Sequence, residues 1–252
     1  MKTEHLTRVA IVTGAAGGIG RATVTRLLAA RFAVLAVDRD AKGLELLFGT
    51  QDGVTSVAQD ITFPSAASAI IALALQRYGR VDALINNAGI GAAKSVDKTT
   101  DEELDTFLDV NLKGAFRLSR EVLNVLPAGG CIVNVSSTFG LIGFPDSSSY
   151  AVTKSALLGL TRQMAVDFGP RGIRVNAVAP GLISSPLTRE RISTDHLYRD
   201  LLVRGTPFPR IGETTDIANA INFLCSEDAA FINGHILTVD GGWSATRYLA
   251  ET

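Results

Sequence analysis

The chain has 252 residues, of which 46% are hydrophobic, and it carries 24 Lys and Arg against 25 Asp and Glu. This apolar content excludes a disordered protein, and the near balance of charge argues against a protein that binds nucleic acid through phosphate contacts. The sequence shows no secretory signal and no run of about 18 apolar residues that could span a bilayer. We therefore expect a cytoplasmic protein that acts without a membrane.

Short apolar runs alternate with longer helical patterns along the chain. Most of the apolar runs are continuous, which is typical of parallel strands covered on both faces. Strands are predicted at 9–13, 33–37, 54–58, 83–86, 131–135, 174–178 and 236–239. Helices are predicted at 18–30, 41–48, 65–77, 101–126, 150–168 and 214–225. The alternation predicts an α/β protein, a single-domain Rossmann fold over 1–252 in which helices flank a doubly wound, seven-stranded parallel sheet.

The segment 184–210 departs from this alternation. It is polar and basic, and it contains three prolines, so we interpret it as a long excursion from the sheet that closes over a substrate. Its arginines have two interpretations, an attraction for an anionic substrate or a solvated basic face. These arginines are Arg189, Arg191, Arg199 and Arg204.

Cysteine and histidine do not form a recognisable metal or catalytic pattern. Cys131 and Cys225 lie in apolar segments far apart in the sequence, which predicts two buried free thiols in a reducing compartment. His5, His196 and His235 are scattered without the spacing of metal ligands, so we predict no metal site.

The first predicted strand leads directly into a glycine-rich turn at 13–20, and a helix follows. Glycine permits a tight turn and a close approach of the backbone, and the start of a helix offers free N–H groups to a phosphate. The order of strand, turn and helix therefore predicts a dinucleotide site at the pyrophosphate. The candidate residues are Gly14, Gly18, Ile19 and Gly20.

Asp38 directly follows the second predicted strand, and an acidic side chain at this strand end can accept hydrogen bonds from the adenosine ribose of NAD. The same carboxylate would repel the 2′-phosphate of NADP. Arg39 follows directly and could meet that phosphate instead. We favour NAD as the cofactor and keep NADP as the less favoured alternative.

Together with these features, further short motifs resemble the short-chain dehydrogenase/reductase family in its form of about 250 residues. The resemblance runs from about residue 8 to residue 242, and the joint order and spacing of the motifs carry it. Gly17 and Gly18 together also fit the turn of longer relatives such as sugar-nucleotide epimerases, but the chain length and the motif at 86–89 favour the shorter form. The markers are the turn at 13–20, Asp60, the run at 86–89, Asn111, Ser137, Tyr150 with Lys154, Pro180-Gly181 and the run at 239–242.

The resemblance implies where a nicotinamide dinucleotide would lie. Ile19 would meet the pyrophosphate through its backbone, and Asp60 and Ile61 would flank the adenine. The residues expected to line the middle of the cofactor are Asn87, Ala88 and Gly89. Those expected to hold its nicotinamide end are Tyr150, Lys154, Pro180, Gly181, Ile183 and Ser185, where the family usually has threonine in place of Ser185.

Tyr150 and Lys154 are four residues apart on a predicted helix, so their side chains share one face. A lysine ammonium and a positive nicotinamide ring near a tyrosine would favour the phenolate and lower the tyrosine pKa towards working pH. The resemblance implies that Tyr150 is the acid/base that exchanges a proton with an alcohol or ketone, that Ser137 holds the substrate oxygen, and that Asn111 anchors a relay water to the lysine.

The substrate is left open by the sequence beyond a secondary alcohol or ketone. The residues that follow Ser137 predict either a substrate wall or core packing: Phe139, Leu141, Ile142 and Phe144. The resemblance and the apolar faces of the helices at 101–126 and 150–168 predict a homotetramer. The alternatives are an NADPH-dependent 3-oxoacyl reductase and, in another class, a cofactor-sensing protein without catalysis.

Overall fold

The computed structural model describes residues 8–245, with the exception of the Leu187 side chain. The predicted seven-stranded parallel sheet is confirmed, and its strands follow the order β3-β2-β1-β4-β5-β6-β9. The strands are β1 Arg8–Thr13, β2 Phe32–Asp38, β3 Val54–Ala58, β4 Ala83–Asn86, β5 Cys131–Val135, β6 Arg174–Pro180 and β9 Ile236–Val239.

Helices cover both faces of this sheet, so the strands bury side chains in two cores. On β1, Ala10 and Val12 point into one core while Ile11 points into the other, which is the two-residue period of a strand. Within the described residues, no helix is long and apolar enough to cross a membrane. The helices are α1 Gly18–Ala29, α2 Ala41–Phe48, α3 Ala66–Tyr78, α4 Asp101–Leu108, α5 Gly114–Val122, α6 Ser148–Phe168, α7 Pro186–Thr194, α8 His196–Tyr198 and α9 Thr214–Cys225.

The helix predicted at 101–126 is wrong in two respects. It is divided into α4 and α5 by a π-helical segment, Asp109–Lys113, and it ends at Val122 rather than at the residue before Pro127. Its start is as predicted, because Thr100 and Glu103 form a reciprocal capping box. The π-helical turn has a tertiary cause, described below, that the helical periodicity does not contain.

The segment 184–210 folds mainly into helix rather than into an irregular loop. α7 and α8 occupy its first half, and a second π-helical segment, Arg199–Val203, continues α8. Two short parallel strands, β7 Ile183–Ser184 and β8 Gly212–Glu213, join the two ends of the segment at its base. The segment therefore stands on the sheet as a small helical layer.

The two cysteines lie in contact, although their positions in the sequence gave no sign of it. Cys131 on β5 and Cys225 at the end of α9 are both free and buried, and their thiols share a hydrogen bond. That bond, with Arg174 and Arg8 nearby, lowers the pKa of the Cys131 thiol, while the same bond and burial raise the pKa of Cys225 well above its ordinary value. The pair belongs to the core between α9 and the sheet.

Candidate active site

A cleft of about 460 Å³ runs along the carboxyl ends of the central strands. The strand order reverses between β1 and β4, and ligands of open parallel sheets bind at such a switch point. Eighteen residues were predicted from the sequence as site residues besides Asn111, and the cleft is lined by all eighteen. The cleft therefore brings together groups that are up to about 170 residues apart in the sequence.

The glycine-rich turn makes the floor of one end of this cleft. Gly14 has a φ of +64°, and a Cβ there would lie 2.8 Å from the Ala88 backbone. A Cβ on Gly20 would lie 2.0 Å from the Gly14 carbonyl oxygen, so only glycine allows α1 to start this close to the turn. Gly17 caps α1 without a side-chain hydrogen bond, which leaves the first N–H groups of the helix to an anion in the cleft.

The next part of the cleft carries the carboxylates of Asp38, Asp40 and Asp60 and one guanidinium, that of Arg39. The Asp38 carboxylate accepts hydrogen bonds from the backbone N–H groups of Ala16 and Asp40, both at 3.0 Å, and so ties β2 to the glycine-rich turn. Hydrogen bonds from the Thr62 backbone lower the pKa of Asp60 most, and the charge of Arg39 contributes to the same direction. Arg39 thus lies close to Asp60, at the end of the cleft where the sequence places the adenine.

Asn87 holds the middle of the cleft together. Its side-chain amide donates to the carbonyl oxygens of Thr13 at 2.9 Å and Gly14 at 3.1 Å, and its backbone N–H donates to the Thr13 hydroxyl. A Cβ on Gly89 would lie 3.2 Å from the Asn111 amide oxygen and 3.3 Å from the Lys154 ammonium nitrogen. A side chain at position 89 would therefore crowd both the Asn111 amide and the Lys154 ammonium.

Asn111 explains the π-helical segment. Its side chain is 1% exposed, accepts a hydrogen bond from the Ile90 backbone N–H at 2.8 Å, and donates to the Ile90 carbonyl at 3.0 Å and to the Thr153 hydroxyl at 3.2 Å. The Asn111 amide thus makes two hydrogen bonds with the Ile90 backbone, one accepted and one donated, as the backbone of a neighbouring strand would. A π-bulge inside an α-helix often marks a functional position, and here it turns Asn111 towards the backbone beside Lys154.

Tyr150 and Lys154 lie on one face of α6, four residues apart as predicted, and both line the cleft. The Lys154 side chain is 4% exposed, its ammonium donates to the Val135 carbonyl at 2.8 Å, and it lies 5.7 Å from the centre of the Tyr150 ring. Ser137 follows β5 and shares a hydrogen bond with the Tyr150 hydroxyl. The proton-bearing groups of the predicted set thus meet at the end of β5.

The pKa values of this cluster differ from the sequence expectation. Burial raises the pKa of the Tyr150 hydroxyl above its ordinary value, and the hydrogen bond with Ser137 acts in the opposite direction. Burial lowers the pKa of Lys154 to about 8. The expected lowering of the Tyr150 pKa is therefore absent from the protein alone, because desolvation outweighs the hydrogen bond.

The chain matches the family model described as enoyl-(acyl carrier protein) reductase over residues 14–244. It is 39% identical over 250 residues to 2-(R)-hydroxypropyl-CoM dehydrogenase of Xanthobacter autotrophicus, which covers 95% of this chain and 100% of that relative. The chain belongs to the short-chain dehydrogenase/reductase family. It is also 33% identical over 241 residues to 3-oxoacyl-(acyl-carrier-protein) reductase of Thermotoga maritima, over 93% of this chain and 97% of that one.

Solved structures of short-chain dehydrogenases/reductases have the same fold. Levodione reductase matches with a TM-score of 0.89 and 33% identity over 95% of this chain and 98% of that chain. 4-Hydroxyisoleucine dehydrogenase complexed with NADH matches with a TM-score of 0.87 and 34% identity, over 95% of this chain and 100% of that chain. ElxO with NADP bound matches with a TM-score of 0.85 and 31% identity, over 95% of this chain and 99% of that chain. These matches support an NAD(P)-dependent oxidoreductase and leave the choice between the two dinucleotides open.

The sequence reasoning missed one polar residue, Thr188, at the end of the cleft where the family resemblance places the nicotinamide. The Thr188 hydroxyl on α7 shares a hydrogen bond with the Ser185 hydroxyl at 3.1 Å, accepts one from the Ser185 backbone N–H and donates to the Ile183 carbonyl. A serine three residues before a threonine at a helix start is a capping pattern, and that signal could have identified Thr188. Other lining residues missed were Ala16, Gly17, Val37, Asp40, Gln59, Ile90, Val110, Val135 and Ser136.

A second cavity, of about 450 Å³, adjoins the cleft beneath the segment 184–210. Four residues line both spaces: Ser137, Tyr150, Gly181 and Thr188. Phe139 lines this second cavity, stacks on Phe144 at 4.3 Å and meets the Tyr150 ring edge-on, whereas Leu141 and Ile142 are exposed. Of the four candidate wall residues, only Phe139 lines the second cavity, and Phe144 supports it from behind.

The arginines of the segment 184–210 are largely engaged by neighbouring side chains. Arg191 lines the second cavity and pairs with Asp195 at 3.1 Å, and Arg204 pairs with Asp200 at 3.5 Å. Arg199 shares a hydrogen bond with the His196 ring at 2.6 Å. Arg189 is exposed at the surface. These contacts favour the solvated, charge-balanced face over an anion-binding cluster.

Proposed function

We propose that this protein transfers hydride between a nicotinamide dinucleotide, preferably NAD(H), and a secondary alcohol or its ketone, with Tyr150 as the general acid/base. The observation that carries the proposal is that Tyr150 and Ser137 line both cavities and face the space where they meet. A proton-transferring hydroxyl at such a boundary can reach a substrate on one side while a cofactor lies on the other.

The cleft has the features that a nicotinamide dinucleotide requires. The uncapped start of α1 suits the pyrophosphate, Asp38 lies at the ribose position, and Lys154 and Ser185 lie at the opposite end. When bound, the nicotinamide supplies or accepts the hydride. The residues proposed to hold the cofactor are those predicted from the sequence, with Thr188 added beside Ser185.

The side chains have separate tasks in the proposed reaction. Tyr150 takes the proton of the alcohol hydroxyl during oxidation and returns it to the carbonyl oxygen during reduction, while Ser137 holds that oxygen. The Lys154 ammonium stabilises the tyrosine phenolate. Asn111 fixes the Ile90 backbone beside Lys154 and, as the family resemblance implies, would anchor a relay water. Segment 184–210 roofs the substrate cavity within what we propose is one domain.

Titrating the protein with NADH and with NADPH, by cofactor fluorescence, tests the proposal first. We expect tighter binding of NADH because three carboxylates line the adenosine end of the cleft against one guanidinium, that of Arg39. Asp38→Asn removes the charge and keeps one acceptor oxygen, which retains the hydrogen bond from either Ala16 or Asp40. NADPH affinity should therefore rise by about tenfold, or about 1.4 kcal/mol.

Glu45→Gln is the matched control for this substitution. Glu45 is an exposed carboxylate on α2 that does not line the cleft, and glutamine keeps the length of the side chain while it removes the charge. Its cofactor preference should stay that of the wild type. Tighter wild-type binding of NADPH would instead mean that Arg39 dominates and would favour the second candidate, an NADPH-dependent 3-oxoacyl reductase. Binding of neither dinucleotide would contradict both candidates.

We also propose that the protein is a homotetramer. Apolar side chains are exposed on the outer faces of α5 and α6, including Phe116, Val152 and Val166. Light scattering at micromolar concentration should therefore give four times the 26.6 kDa of one chain. Val166→Glu should lower this mass, whereas Leu46→Glu, an equally apolar and exposed position on α2, should not. A monomeric wild type would refute the tetramer.

A further inference from the structure

Tyr198, on α8, is a polar group of the substrate cavity that the proposed chemistry does not use. Its side chain lines the second cavity and is 8% exposed. Among the described residues its hydroxyl has no hydrogen-bond partner, and the oxygen is not sealed off from the cavity. A hydroxyl that the fold leaves without a protein partner and open to a cavity is free to donate its hydrogen bond to a ligand there.

The ring of Tyr198 is held firmly, so the direction of its hydroxyl is fixed. The Asp195 carboxylate accepts from the Tyr198 backbone N–H at 2.9 Å and from the Arg191 Nε at 3.1 Å. The Arg191 guanidinium then lies over the Tyr198 ring, 4.3 Å from its centre. Phe144 meets the same ring edge-on at 6.1 Å. The hydroxyl is thus presented by a rigid frame, which is typical of binding groups.

Tyr198 shares its cavity with the side chain that is proposed to exchange the proton. Tyr150 lines the same cavity and is among the charges that act on the Tyr198 hydroxyl, so the two phenols lie within electrostatic range. Burial raises the pKa of Tyr198 to about 12, and its hydroxyl therefore keeps its proton at working pH. Tyr198 is a hydrogen-bond donor there, in contrast to Tyr150, which must exchange its proton.

The charges around this hydroxyl favour a neutral acceptor over an anion. Arg191 is the cation that touches Tyr198, and Asp195 neutralises it. Glu190 adds a further negative charge to the lining of the cavity. An anionic substrate group would meet more negative than positive charge at this wall, whereas a carbonyl, ester or hydroxyl oxygen would meet only the donor.

Resting on the proposed function, we propose that Tyr198 is a specificity-determining residue whose hydroxyl binds a second, uncharged oxygen of the substrate, near the carbon that reacts. The preferred substrates are then hydroxyketones, diketones or 3-oxoesters and the corresponding alcohols, rather than simple ketones. Phe139, Leu182 and Leu202 supply the apolar remainder of the cavity.

The test compares the reduction of three pairs of ketones that differ in the second oxygen. The pairs are diacetyl with butanone, ethyl acetoacetate with methyl pentyl ketone, and acetonylacetone with methyl butyl ketone. Tyr198→Phe keeps the ring and removes only the hydroxyl. For each pair, the kcat/KM of the ketone with the additional oxygen is divided by the kcat/KM of its simpler partner. In Tyr198→Phe this ratio should fall by about three- to tenfold for at least one pair, which is the effect of one neutral hydrogen bond. The change should appear in KM more than in kcat.

Tyr78→Phe is the matched control. The Tyr78 hydroxyl bonds to Thr55 at 2.8 Å and to the Val34 carbonyl at 3.1 Å, away from both cavities, so its removal should leave every ratio unchanged. Ratios that stay unchanged in Tyr198→Phe, or a large fall in its melting temperature, would overturn the role of Tyr198 alone. A wild type that reduces none of the six ketones with either dinucleotide would count against the proposed function, and this inference with it.

Discussion

Tyr150→Phe is expected to fold, to bind the dinucleotide like the wild type and to lose turnover by about a hundredfold to ten-thousandfold. The ring would keep its edge-on contact with Phe139 at 6.2 Å, so the walls of both cavities stay in place. The substitution removes the group that exchanges a proton with the substrate oxygen. Single-turnover kinetics at saturating cofactor, beside a fluorescence titration, measure the two effects separately.

This result also separates an enzyme from a cofactor-sensing protein that has kept the fold. A sensor would show no turnover as wild type and no change of cofactor binding in Tyr150→Phe. Tyr78→Phe again serves as the control, because its hydroxyl lies away from both cavities. Turnover near the wild-type rate in Tyr150→Phe would refute the proposed acid/base and would direct attention to Ser137.

The sheet was predictable from the sequence because its strands are buried on both faces. Continuous apolar runs such as 33–37 are typical of such strands, and β3, β4, β5 and β9 have the predicted bounds. β2 and β6 are longer than predicted by residues at their ends, Asp38 and Pro180 among them, which face the cleft. Residues at the ends of strands line the cleft, so the apolar pattern that marks the buried part of a strand does not extend to them.

The elements that the sequence did not predict depend on contacts between distant segments. The π-helical turn at Asn111 exists because its amide pairs with the backbone of Ile90, 21 residues earlier. The contact between Cys131 and Cys225 results from the docking of α9 on the sheet. Periodicity describes one element at a time, so neither feature is visible in it.

The candidate site also has one part that short sequence motifs predict and one part that depends on contacts between distant segments. Residues on the cofactor side come from short motifs at strand ends, and their convergence follows from the strand order. Seven of the seventeen residues that line the second cavity come from the segment 184–210, whose helices lack a strong apolar pattern and whose prolines and charges suggested a loop. Tyr198 is therefore identified by its packing and its unused hydroxyl rather than by its neighbours in the sequence.

Lys154→Met is expected to cut alcohol oxidation at neutral pH by about a hundredfold and to shift its pH profile upwards. The Lys154 ammonium lies 5.7 Å from the centre of the Tyr150 ring in a buried site, where a positive charge favours the phenolate. Burial already raises the pKa of Tyr150, and removal of the ammonium should raise it further. Rates of oxidation from pH 6 to 10 at saturating cofactor measure the shift.

The same substitution has a consequence for stability whose sign follows from the lowered pKa of Lys154. In the folded chain this pKa is about 8, below the ordinary 10.5, so the unfolded chain binds the proton more tightly. Wild-type stability should therefore rise, relative to Lys154→Met, as the pH increases from about 8 to about 10.5. Thermal unfolding across this window measures the difference, and Lys98→Met, at an exposed lysine, should keep the wild-type dependence. Parallel curves for wild type and Lys154→Met would contradict the lowered pKa of Lys154 and show that burial does not favour its neutral form in the folded chain.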